Sequence, residues 1–222
     1  NLHNKIPLMK KIFIAAVMVS ALSSASHAAV GIFGSYIGIN ANGAGNSWYG
    51  AQQWGANTIQ NFGSANLGTF DLNTGSLTIS GYQVQTFKSG GGDITGANLY
   101  YRVYEQSTTP GGFNTVNAGF IANAPFTSAA GNSASGGGGQ NWGQNPTGNF
   151  GNLLGGLTLN AVYNVEIYFD ATSNEGTQFS NNGGANYIAT FTAVPEPSTY
   201  ALLAMGAAAF GGYVIRRRRR VS

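Results

Sequence analysis

The chain has 222 residues, long enough for one sizeable domain, and it carries 34 Gly, 6 Pro and no Cys. The missing cysteine excludes a disulfide framework, thiolate chemistry and Cys-ligated zinc. Only 8% of residues are charged, against ~25% in an average globular protein. The formal charge of +3 hides a split: the ends carry +7, whereas residues 29–193 hold Lys88 and Arg102 against six acids, a net −4. A nucleic-acid reader needs its cations on the folded body, so that class is excluded as a partner.

Residues 1–8 fit no functional segment and read as an upstream extension. From Met9 the chain gives Lys10 and Lys11, an apolar run over 12–22, and a small-residue stretch ending at Ala28. That order predicts a secretory signal peptide over 9–28, cut by signal peptidase between Ala28 and Ala29, with Ser26 and Ala28 as the small residues the cut requires. As a helix the run is ~16 Å long, short of the ~30 Å hydrocarbon core, which favours removal over a retained anchor.

Residues 29–193 hold 31 Gly and 22 Asn. Such a composition opposes helix, because each interior Gly costs ~1 kcal/mol relative to Ala. Alternation predicts strands over 76–80 and 82–87, broken at Gly81, and over 99–105, 163–170 and 187–194. The expected inward set is Leu77, Ile79, Leu99, Tyr101, Val103, Val165, Ile167, Phe169 and Phe191. Segments 131–139 and 174–185 read as polar surface loops. The expected fold is all-β: a single antiparallel, jelly-roll-like β-sandwich, flanked by the signal-peptide helix and a short C-terminal transmembrane helix. The stretch 90–192, through phrases such as Asn98-Leu99-Tyr100-Tyr101-Arg102-Val103-Tyr104 and Val165-Glu166-Ile167-Tyr168-Phe169, resembles a module of secreted bacterial proteins. That resemblance implies a β-sandwich with an exported accessory role.

Both histidines, His3 and His27, precede Ala28, so the body can build neither a Ser-His-Asp triad nor a His-ligated zinc site. Glu166 and Asp170 share a strand face but lie ~13 Å apart at 3.3 Å per residue, beyond the roughly 5–9.5 Å of a glycosidase pair. An acid pair would combine Glu105 with Glu166, or Asp93 with Glu175. Arg102 and Glu166 sit at outward mid-strand positions and suit a cross-strand ion pair instead. The expectation is a non-enzyme with no catalytic residue and no cofactor; a carboxylate glycoside hydrolase is the alternative. Asp170, Asn174 and Glu175 offer oxygen donors for calcium but lack EF-hand spacing, so a solvated loop is expected there and no metal. Trp48, Trp54 and Trp142 are flanked by Asn and Gln. Flat rings beside amide donors suit sugars, and packing at the ends of the core is the competing use.

At 194–222 the composition changes: Val194-Pro195-Glu196-Pro197-Ser198-Thr199, an apolar run over 200–215, then Arg216, Arg217, Arg218, Arg219 and Arg220. This tripartite end resembles the PEP-CTERM sorting signal of Gram-negative bacteria that make exopolysaccharide. The resemblance implies recognition of Pro195, Glu196 and Pro197 by an exosortase, a membrane-embedded cysteine protease, and loss of the tail; a retained anchor is the alternative. The arginines act as a cytoplasmic stop, and Lys10 and Lys11 demand the same side, which leaves the body outside. The expected protein passes transiently through the inner membrane to the envelope, outer surface or matrix. There it has a structural or adhesive role linked to exopolysaccharide or biofilm, or acts as a glycan-binding module through its tryptophans.

Overall fold

A computed structural model describes residues 29–144, 150–195 and 202–210. Among the described residues, thirteen strands build the body. The first sheet takes β1 (Ala29–Ala41), β2 (Asn46–Gln52), β4 (Leu77–Ser89), β7 (Phe120–Asn123) and β10 (Gln140–Gln144), in the order β2-β1-β4-β10-β7. The second takes β3 (Asn66–Asp71), β5 (Ile94–Glu105), β6 (Asn114–Ala118), β11 (Ala161–Ser173) and β13 (Tyr187–Val194), in the order β3-β13-β11-β5-β6, with β12 (Gly176–Ser180) paired to β11. Strands β8 (Phe126–Thr127) and β9 (Ser133–Ala134) form a small ribbon. Pairing is antiparallel within the two large sheets except between β13 and β3.

Both sheets feed one apolar core. From the first come Ile37, Ile39, Leu77, Ile79, Tyr82 and Val84; from the second, Leu99, Val165, Ile167, Phe169 and Phe191. Hydrogen bonds also join the sheets: Ser35 Oγ lies 2.8 Å from Ser180 Oγ, and Tyr82 donates to the Asn117 carbonyl at 2.6 Å. Of the expected inward set, Tyr101 and Val103 are only partly buried and pack against the core rim.

The break expected at Gly81 is absent. Gly81 stays paired with Gly38, and the ladder shifts by one residue at the step from Gly38 to Ile39, so β4 continues through a bulge. The two expected loops also carry strand: β12 lies within 174–185, and β9 within 131–139. Their Gly and Ser content hides a pairing that β11 and β8 impose. Strands β1 and β2 escaped the alternation pattern because outward glycines in β1 replace the polar residues such a pattern needs. Of the transmembrane helix expected over 200–215, residues 202–210 are helical and the remainder lies outside the described residues; among the described residues no helix is long and apolar enough to cross a membrane.

Burial raises the pKa of Tyr82 from 10.0 to about 12. The folded state therefore favours the neutral phenol. Its contribution to stability is complete below pH 10.0 and is lost as pH rises through about 12. Urea denaturation across that interval is expected to show a falling midpoint, and Tyr82→Phe, which keeps the ring, to flatten the fall.

Candidate functional site

Alternation along β1 and β4 points Gly34, Gly38 and Gly81 away from the core, and aromatic rings lie on the bare backbone there. A Cβ at Gly34 would collide with the Trp54 indole, and one at Gly31 would come within 2.6 Å of the Phe87 ring. Trp48 covers Gly81, 3.1 Å from where a Cβ would sit.

Beside these rings the sheet carries a buried amide layer. Trp54 Nε1 donates to Gln85 Oε1 at 3.1 Å, and Gln85 Nε2 donates to Gln83 Oε1 at 3.2 Å. Gln83 Oε1 also accepts from the Ala129 amide at 2.6 Å. Asn132 fastens two loops over the layer, donating to the carbonyls of Trp54 (2.6 Å) and Asn57 (2.5 Å) and accepting from the Asn57 amide (3.0 Å). Tyr36 is wholly buried beneath. Burial raises its pKa, against the lowering effect of the Trp54 backbone, Asn132 and Ser128.

Next to this roof opens a cleft of about 600 Å³. Phe33, Trp54 and Phe87 line it together with the segment 133–137 and Gly139. The β1 bulge that skips Phe33 in the ladder releases its ring toward the cleft. There it meets Trp54 edge-on at 4.7 Å and 87°, and lies near-parallel to Phe126 at 6.5 Å. None of these lining residues is charged; Lys88, close by in β4, is paired with Asp93 at 2.5 Å.

The outward face of the second sheet closes on itself. Arg102 and Glu166 are register partners and form a two-pronged pair, Nε to Oε2 and Nη2 to Oε1, each 2.9 Å. Asn186 adds a 2.6 Å bond to Glu166 Oε1, and the guanidinium sits 4.1 Å from the Phe113 ring centre. Tyr100 stacks on Tyr168 at 4.3 Å and 3°. Desolvation first, then the neighbouring Asp170 carboxylate, pushes the Tyr100 pKa up to about 12.

The sequence-selected residues fare differently. Trp54 reaches the cleft. Trp142 is buried in the core, donating from Nε1 to Thr86 Oγ1 at 3.1 Å, and Trp48 lies on Gly81, so the three tryptophans form no common platform. Asp170 accepts from Asn98 and the Tyr100 hydroxyl, both at 2.9 Å, while Asn174 faces the other way, accepting from the Asp93 amide and donating to the Gly91 carbonyl. Of the calcium candidate, Asp170 and Asn174 are thus drawn into separate hydrogen bonds, and among the described residues no cluster of three or more His, Cys, Asp or Glu that could hold a metal occurs. Strand alternation puts Glu105 and Glu166 on opposite faces. Sequence reasoning missed Phe33, Phe87, Gln85 and Asn132; the available signal was the spacing Gly31, Gly34, Gly38 within an apolar run. Of the terminal residues, Ala29 opens β1 and Pro195 follows β13, whereas Ala28, Glu196, Pro197 and Arg216 to Arg220 lie outside the described residues.

The family model described as the PEP-CTERM protein-sorting motif matches residues 193–220. No curated protein matches the chain. The chain carries the sorting motif of an exosortase substrate, and that motif implies an exported, membrane-passing precursor that exosortase processes and that is sorted to the envelope or surface.

Glu166 is 4% exposed, so removing its partner strands a buried charge. Arg102→Met is expected to lower stability by about 3 kcal/mol or more. Arg102→Met combined with Glu166→Leu should recover most of it in urea denaturation. A loss under about 1 kcal/mol for the single variant marks a solvated pair instead.

Proposed function

We propose that this chain is a non-catalytic β-sandwich protein of the cell envelope or extracellular matrix, held there in a structural or adhesive role by contact with exopolysaccharide. The shared core of the two sheets supports the sandwich reading. In this reading signal peptidase first releases residue 29 onward, and exosortase then acts at the tail. The carrying observation is the uncharged aromatic cleft of about 600 Å³ on a body whose tail bears an export-sorting motif. Preformed apolar clefts of some 300–1,000 Å³ with a few polar groups are the usual form of small-ligand sites. The acids suit a structural rather than catalytic use. Glu166 is tied up by Arg102 and Asn186, Asp170 by Asn98 and Tyr100, and Asp93 by Lys88.

The test is fractionation of an exosortase-positive host, with and without its polysaccharide synthesis. The tail-processed protein is expected to sediment with the polysaccharide and to appear in the medium once synthesis is disabled. An identical distribution in both strains overturns the reading.

A further inference from the structure

We propose that the cleft between Phe33, Trp54 and Phe87 is the binding subsite for a neutral polysaccharide, seating a pyranose ring against the aromatic wall. The proposal rests on the polysaccharide contact inferred above and gives it an address. Three observations carry it. First, no lining side chain is charged, the adjacent Lys88 and Asp93 neutralise each other, and residues 29–193 have a net charge of −4. Nothing at the site attracts an anionic polymer, and the long-range field repels one. Second, a pyranose has apolar C–H faces and a rim of hydroxyls. The rings supply an apolar wall, while Ser133, Ser135 and the side-chain-free Gly136 and Gly137 in the same lining bring polar groups to the cleft. Third, the wall is already ordered. The Trp54 indole is fixed by its bond to Gln85, its seat on Gly34 and its edge contact with Phe33, so binding does not have to freeze it.

The tail-processed protein from an exosortase-positive host, free of Arg216 to Arg220, is run in native gels containing hydroxyethylcellulose, galactomannan or dextran and is expected to be retarded by at least one of them and not by alginate. Trp54→Ala should weaken that retardation about ten-fold or more. Because Trp54→Ala also removes a bond to Gln85, Phe87→Ala serves as the second variant; Phe87 is 36% exposed, and its loss should weaken binding with the circular dichroism unchanged. Trp48→Ala should bind as wild type. Equal binding by both cleft variants and wild type overturns the cleft while leaving polysaccharide contact intact. Retardation by alginate equal to that by the neutral polymers, or retardation by none, overturns the neutral-ligand assignment, whereas matrix retention in cells is read separately by fractionation.

Discussion

The structure of the first sheet turns on how closely aromatic rings approach its outer face. A strand normally presents a side chain to each face, and a Cβ at Gly31 or Gly34 would occupy the space taken by Phe87 or Trp54. Glycine in a strand interior weakens the strand and commonly marks such a close approach. Here the loss is offset by β4, which pairs with β1 along nearly its whole length, while β2 holds the other side from Ser35 to Asn40. The rings in turn shield the strands and set the position of everything around them: the Gln85 amide, the loop fastened by Asn132, and the wall of the cleft.

This arrangement lets one sheet bury both faces by different means. Inward, Ile37, Ile39, Ile79 and Val84 join the apolar core. Outward, Gln83 and Gln85 are almost as deeply buried, yet they have partners among Trp54, Asn141 and Ala129. Buried amides without partners would be costly, and satisfied ones specify a single arrangement. The second sheet solves the same problem with charge and stacking. Arg102 and Glu166 neutralise each other, and Tyr100 and Tyr168 cover each other's faces. The contrast explains why the cleft opens on the first sheet: there the rings lie on glycine and keep a face toward solvent, while on the second the rings spend their faces on one another.

Much of this was legible in the sequence where polar and apolar residues alternate. The 187–194 strand has the bounds expected of it, the 99–105 and 163–170 strands lie inside β5 and β11, and the Arg102–Glu166 pair forms across the register those strands set. Strands β1 and β2 were not legible, because glycine carries neither sign of the alternation and the run from Val30 to Ile39 is apolar but for Ser35 and Tyr36. The cleft was half legible. Amide-flanked tryptophans drew attention to Trp54, but Trp48 and Trp142 share its flanking residues and not its position. Which indole lines the cleft depends on the bulge at Phe33 and on which glycine lies beneath, and both are set by pairing distant in sequence. The sorting motif was legible in full, since it is read from its linear order.

The central claim is that bare backbone at Gly34 seats Trp54 and so forms the cleft. Exchange of the Trp54 indole Nε1 proton, followed by nuclear magnetic resonance in wild type and in Gly34→Ala, tests it most directly. The account predicts a protected indole proton in wild type, bonded to Gln85, and solvent-rate exchange in the variant, with the amides of β1 and β4 still protected. Equal protection of the indole in both proteins would contradict it.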